Sequence, residues 1–347
     1  MSGRPVGFGR ADDERPAAAA GAAPVAGADP LDDASAIPLL PVRDERGHKG
    51  TFGTLLVVAG SLDYAGAALL VCRAAGRAGA GLVTLAVPES LQPLFAAKVV
   101  EATTMALPED DVEEVDPEPA LGRILDHEHD ALVVGPGLRP GLSTAELIGA
   151  LLASPDGAGT PAVVDAEALR ALASFDGWRD AIRRPAVLTP HVGEFRRLRA
   201  GSGADPDGDG DLVRDDAARV AAARAAATEW GQVVVLKGAR TVVASPDAAV
   251  VAPFANPGLA TGGTGDVLSG VIGALLAQGL APWDAARLGV HLHGLAGEAL
   301  RERLGDAGLL AGDLVEELPH ARRRLAALAK RRGASPVGFG VPSTDEA

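Results

Sequence analysis

A chain of 347 residues that is 47% hydrophobic, only 3% aromatic and carries 44 glycines can build a sizeable core, but from small side chains packed closely. Its net charge of −14 excludes nonspecific binding to nucleic acid or anionic membrane, so an anionic ligand would need backbone amides and a few local Lys or Arg. The single cysteine, Cys72, excludes a disulfide framework or a thiolate zinc cluster within the chain.

Residues 1–35 and 331–347 lack apolar periodicity and read as disordered tails on one domain over 36–330. The string PVGFG occurs once in each tail, at 5–9 and 336–340, without a physical account. The N-terminus has no apolar signal region and no stretch reads as a membrane span, which makes the cytoplasm the expected compartment. The first strand is expected at 55–59, followed by a small-residue helix over 65–78 that holds Cys72. Next come a strand at 82–87, a helix near 89–98, a strand at 131–134 and a helix near 143–152. Strands at 162–165 and 186–189 precede a helix near 215–228, then strands at 233–237, 241–244 and 250–252. The last third is helical, over 266–278, 282–304 and 312–329. Continuously apolar strands separated by helices predict an α/β fold: a doubly wound, mostly parallel sheet with helices on both faces. Ligands then sit beyond the carboxyl ends of the strands.

Asn256-Pro-Gly-Leu-Ala-Thr-Gly-Gly-Thr-Gly-Asp266 runs directly into an apolar helical pattern. Glycines let the backbone approach an anion, and a helix start offers unpaired N–H groups at the positive end of the dipole. Gly263 and Gly265 therefore outline an anion hole for a transferring phosphoryl group, with Asp266 as the base for an attacking hydroxyl. The plainer reading makes Asp266 a helix N-cap. The chain has no Gly-x-x-x-x-Gly-Lys-Ser/Thr loop and no complete Gly-x-Gly-x-x-Gly fingerprint, which removes the P-loop and the usual dinucleotide-binding folds.

Together the motifs carry a family resemblance over about residues 48–312. They are His48-Lys-Gly-Thr-Phe-Gly53, Gly60-Ser with Tyr64-Ala-Gly-Ala67, Arg77-Ala-Gly-Ala-Gly-Leu-Val83 and Gly135-Pro-Gly137. Asp165-Ala-Glu-Ala-Leu169, Thr189-Pro-His-Val-Gly-Glu194, Lys237-Gly-Ala-Arg-Thr241 and the 256–266 loop complete the set. In this order the chain resembles the NAD(P)H-hydrate dehydratases, ADP-dependent in bacteria, of the ribokinase-like superfamily. The resemblance implies repair of hydrated NADH or NADPH: a nucleotide phosphorylates the hydroxyl at C6 of the nicotinamide ring, and loss of phosphate restores the reduced ring. It implies that Ala67, Gly137, His191 and Asp266 contact the dinucleotide. Lys237, Gly238, Ala239, Arg240, Thr241 and Gly265 would contact ADP or ATP, with Mg²⁺ as cofactor. It further implies a homo-oligomer, a tetramer in this family, working beside a separate epimerase. Val192 stands where the family writes Pro.

Lys49, before the first strand, is a candidate for substrate phosphates, against a solvated loop lysine. Glu194 is a candidate for Mg²⁺ through water, because one or two carboxylates usually suffice beside phosphate oxygens; a first-turn helix carboxylate is the alternative. Asp165 closes a strand where sites form. Asp205-Pro-Asp-Gly-Asp-Gly-Asp with Asp216 outlines a calcium loop lacking its bidentate Glu, and an acidic insertion is preferred. His291 and His293 flank Leu292 and cannot share a helix face. A small-alcohol kinase of the same superfamily and a non-catalytic adenine-nucleotide sensor remain the alternatives.

Overall fold

Runs of Val, Leu and Ala uninterrupted by polar residues become fully buried strands. The computed structural model describes residues 23–201 and 210–332. Its strands are β1 (Asp29–Pro30), β2 (Thr54–Val58), β3 (Leu82–Pro88), β4 (Thr103–Leu107), β5 (Glu109–Asp111), β6 (Glu114–Val115) and β7 (Ala131–Val134). They continue with β8 (Ala162–Val164), β9 (Ala186–Leu188), β10 (Val233–Leu236), β11 (Val242–Ala244) and β12 (Ala249–Val251). The helices are α1 (Asp33–Ala36), α2 (Ala65–Ala78), α3 (Gln92–Ala96), α4 (Pro117–Leu125), α5 (Leu142–Ala153) and α6 (Glu167–Leu172). Then follow α7 (Trp178–Ala181), α8 (Val192–Gly201), α9 (Asp216–Trp230), α10 (Thr264–Ala277), α11 (Pro282–Leu304) and α12 (Ala311–Arg332).

Ten strands form one sheet in the order β1-β12-β11-β10-β9-β8-β7-β2-β3-β4, while β5 and β6 form a small antiparallel pair. All neighbours run parallel except β10–β11 and β11–β12. Alternating side chains feed two cores: Leu55 and Val57 face α2, α10, α11 and α12, while Leu56 and Val58 face α4 to α9. The expected doubly wound architecture is thus present. The chain leaves β2 toward β3 and β4, then returns to β7 on the other side of β2. That reversal opens a crevice at the carboxyl ends of β2 and β7, where ligands bind in such sheets.

Glycine lets α10 seat against its neighbours. A Cβ on Gly270 would lie 2.4 Å from the Val71 carbonyl of α2, and one on Gly273 would lie 2.4 Å from Val133 of β7. The N-terminal tail expectation is corrected for residues 23–35. Leu31 is fully buried, β1 extends the sheet, and Asp32 caps α1 by accepting from Ser35 N at 2.8 Å. A two-residue strand ending in Pro30 has no period to read. The remainder of the expected tails, with both PVGFG strings, lies outside the described residues, as do residues 202–209 of the acidic segment. Within 210–216, Asp215 caps α9 and Asp216 pairs with Arg240 at 2.7 Å, so those carboxylates serve the helix start. Cys72 is buried, which pushes its thiol up to about 12. No described helix is long and apolar enough to cross a membrane.

Candidate functional site

The 256–266 loop is fixed from inside. Asn256 donates to the Gly297 carbonyl at 2.8 Å and accepts from Gly258 N at 2.9 Å. The Thr264 hydroxyl reaches the Leu259 and Thr261 carbonyls at 2.7 and 2.9 Å. Gly263 is the N-cap of α10, with φ +91°, and a Cβ there would meet Leu70 at 2.6 Å, so this position admits only glycine. The N-cap reading of Asp266 is thereby removed: Asp266 is the third residue of the helix. First-turn amides have no intrahelical acceptor, which leaves the Gly265 and Asp266 N–H groups for an incoming anion.

Behind that turn lies a cluster of four ionisable side chains drawn from four elements. Lys237, just after β10, donates to Asp165 Oδ1 at 2.7 Å and lies 4.0 Å from Glu194 Oε2. Asp165, just after β8, accepts on its other oxygen from Ser269 of α10 at 2.7 Å. Glu194, in the first turn of α8, accepts from His191 N at 2.8 Å. Among the described residues nothing hydrogen-bonds the Asp266 carboxylate. Burial, the Asp165 charge and the Glu194 charge raise its pKa from 3.8 to about 7 against the opposing pull of Lys237. For Lys237 burial works against its charge, yet Asp165, Glu194 and Asp266 together hold its pKa above the ordinary value. Glu194 is pushed up, mainly by burial. A carboxylate poised near neutrality beside an ammonium and a helix N-terminus suits proton abstraction from a hydroxyl next to a transferring anion.

Next to this cluster, a cavity of about 370 Å³ opens between the β10–β11 loop and α11. Lys237, Gly238, Ala239, Thr241 and Gly265 line it, together with Phe254 and His293. Five of the six expected nucleotide residues therefore meet in one place. Arg240 does not join them: its guanidinium is taken by Asp216 at 2.7 Å and the Ala23 carbonyl at 2.8 Å. His293 is half-buried against the cavity wall and donates through Nε2 to the Thr264 carbonyl at 2.9 Å. Burial lowers its pKa to about 4, so it is neutral. His291 bonds Asp33 instead at 2.8 Å, and the two histidines share no ligand, as their spacing requires.

On the other side of the crevice, Gly137 touches the start of α2: a Cβ there would lie 2.8 Å from Ala67 Cβ and 2.6 Å from the Tyr64 carbonyl. Gly135 packs as closely on the Asp165 carbonyl, which ties this loop to the ionic cluster. His191 caps α8 with Nδ1, accepting from Gly193 and Glu194 N at 2.9 and 3.3 Å. That fixes its proton on Nε2, 3.5 Å from Glu194, on a side chain 60% exposed and open to a ligand. Val192 begins α8, the position where Pro is favoured, so the exchange leaves the helix start unaltered.

Lys49 is a correction. It precedes β2 at the amino edge of the sheet, where its carbonyl abuts Gly81 and the nearby Gly53 abuts the Ala277 carbonyl at the far end of α10. Asp266 and Ala277 are eleven residues apart on one helix, about 17 Å. A lysine preceding a strand emerges at the wrong edge for a site built after the strands. Lys49→Ala should accordingly leave the KM for a dinucleotide substrate and kcat of the monomeric site within two-fold, read from initial rates. Ser269 was not anticipated, although a lone hydroxyl three residues after Asp266 in an apolar helix was a visible signal. No described group of three or more His, Cys, Asp or Glu is arranged to hold a metal. The donor set still fits an ion held mainly by phosphates and water, with Glu194 or Asp165 outside it.

The NAD(P)H-hydrate dehydratase family model matches residues 55–320. A bifunctional NAD(P)H-hydrate repair enzyme of Moorella thermoacetica is 44% identical over 82% of this chain and 52% of its own length. The chain thus spans about half the length of such bifunctional relatives. An ADP-dependent (S)-NAD(P)H-hydrate dehydratase of Neisseria meningitidis is 38% identical over 82% of this chain and 89% of its own. The ADP/ATP-dependent NAD(P)H-hydrate dehydratase of Bacillus subtilis, co-crystallised with ATP and Mg²⁺, superposes with a TM-score of 0.71 at 31% identity, covering 86% of this chain and 99% of that one. The fold is the ribokinase-like one that the resemblance implied. A sheet reversal facing a glycine-capped helix, an unpaired half-buried carboxylate and an adjoining cavity therefore stand in a chain that belongs to the NAD(P)H-hydrate dehydratase family.

Proposed function

We propose that the protein dehydrates the S-epimer of hydrated NADH and NADPH at the expense of ADP or ATP. The observation that carries this reading is the unpartnered, half-buried Asp266 carboxylate in the first turn of α10, between the crevice and the cavity. Asp266 takes the proton of the C6 hydroxyl as its oxygen attacks the terminal phosphoryl group. The amides of Gly265 and Asp266, with Gly263 shaping the turn and Lys237 beside it, hold the developing charge. The C6 phosphate then leaves with its electron pair, pushed by the ring nitrogen, and loss of the C5 proton restores the reduced ring. Ala67, Gly137 and His191 border the dinucleotide. Gly238, Ala239 and Thr241 border the nucleotide, and Arg240 shapes their loop. Glu194 would hold Mg²⁺ through water, and the ion would supply screening of the phosphate charge.

In this reading the protein works on the NAD(P)H pool of the cytoplasm as a homo-oligomer such as a tetramer, alongside an epimerase activity. Incubation with hydrated NADH, Mg²⁺ and each donor in turn tests the reading. Absorbance of reduced nicotinamide should return in proportion to nucleotide consumed. Phosphorylation of a small alcohol with no such recovery would replace this reading with a kinase.

A further inference from the structure

Arg219, on α9, is 2% exposed, yet among the described residues its guanidinium meets no carboxylate at hydrogen-bond distance. It donates instead to three carbonyls: Leu212 at 2.8 Å, Leu236 at 2.9 Å and Lys237 at 3.3 Å. A buried guanidinium is expensive to desolvate, so its placement asks for a reason. Two of the three carbonyls belong to the end of β10, where the chain enters the cavity-lining loop. The same guanidinium lies 3.0 Å from the Cβ that Gly238 lacks, and Gly238 has φ +147°, a conformation that needs glycine. On the other side of this loop, Arg240 is held to Asp216 of α9 at 2.7 Å. The start of α9 therefore grips residues 236–240 at two points, and Gly238 and Ala239 between them line the cavity.

We infer that Arg219 is a positioning residue for nucleotide binding: by holding the Leu236 and Lys237 carbonyls it sets both the Gly238–Ala239 backbone and the point from which the Lys237 side chain departs. It touches no ligand itself. This inference rests on the proposed use of the cavity by an adenine nucleotide. A purely structural role would lower stability and both substrate affinities alike, whereas a positioning role acts on one of them.

The test compares Arg219→Lys and Arg219→Met with Val220→Ala, a neighbouring core substitution on α9 that leaves the clamp intact. ADP and ATP binding is measured by calorimetry, and KM for nucleotide and for hydrated NADH by initial rates. Arg219→Met should weaken nucleotide binding about 10- to 100-fold, the scale of a small misplacement at a site, with KM for hydrated NADH within two-fold. Arg219→Lys, which keeps the charge but fewer donors, should fall between. Val220→Ala should lose stability without losing nucleotide affinity. If Arg219→Met does not fold, Arg219→Lys decides, together with faster amide exchange at Gly238 and Ala239. Nucleotide affinity within two-fold of wild type in folded Arg219→Lys, or equal losses for both substrates, overturns the inference alone. Failure of the wild-type protein to bind either nucleotide overturns the functional reading beneath it.

Discussion

Asp266→Asn should lower kcat by about 10³- to 10⁴-fold while leaving nucleotide affinity within a few-fold, because the amide keeps the size of the side chain but cannot take a proton. The same change should stabilise the fold, and the pH dependence identifies the cause. The wild-type carboxyl has a folded pKa of about 7 against 3.8 for an ordinary aspartate. Between those values the native state holds a proton that the unfolded chain has released, so this group's contribution falls as pH rises from 4 to 7. The asparagine variant has no such loss. Its advantage should be absent below pH 4 and complete above pH 7. A rise from 3.8 to about 7 corresponds to about 4 kcal/mol at most, and partial access to water reduces that to about 2 kcal/mol, or a few degrees in Tm. In the active enzyme, kcat/KM should climb with pH and level off above about 7 as Asp266 ionises, and the residual rate of the variant should lack that climb. A variant no more stable at pH 8 than at pH 4, relative to wild type, would mean that Asp266 is solvated and not poised as a base.

Much of this was legible in the chain because buried parallel strands announce themselves as unbroken apolar runs. The strands around β2, β7, β8, β9 and β10 all lie where those runs are, and Asp165, His191 and Lys237 follow them directly. The glycine loop before α10 was equally plain, since a helix start approached by an anion requires residues without a Cβ. What was not legible depends on tertiary contact. β1 is two residues long and exists because β12 offers it an edge. Which end of the sheet a loop residue reaches cannot be read from proximity in sequence, and Lys49, ahead of β2, lies at the edge opposite the site. Arg240 lies within the right motif, but its left-handed backbone, φ 52°, turns its side chain to Asp216. The partnership of Asp165 with Ser269 joins residues 104 positions apart, and no local pattern encodes it.

Lys237→Met is the second large effect expected, and it probes the ionic cluster as a whole. Lysine and methionine have similar length, so the exchange removes a charge with little loss of volume. Asp165 is 2% exposed at its side chain and Glu194 12%, so neither can turn to water for compensation. Three carboxylates then share one end of the sheet with no cation, and removal of one partner from a buried pair costs about 3–5 kcal/mol. The cost should be greatest above pH 7 and shrink on acidification, because carboxylates whose folded pKa is raised regain stability as they take up protons. Adding Asp165→Asn to this variant should recover most of the lost stability, since it deletes the charge left unpaired, and a double-mutant cycle measures that coupling. Activity should not return, because the ammonium beside the transferring phosphoryl group is gone. In the single variant the rise of kcat/KM should also move to higher pH, since Lys237 pulls the Asp266 carboxyl down, whereas in the double variant loss of the Asp165 charge should bring that rise back down. Recovery of stability without recovery of rate separates the two duties of the lysine, balancing Asp165 and holding the charge that develops in the reaction. If the single variant matches wild type in stability at pH 8 and keeps the same pH profile, the ammonium is a solvated surface charge and the cluster does not tune the base.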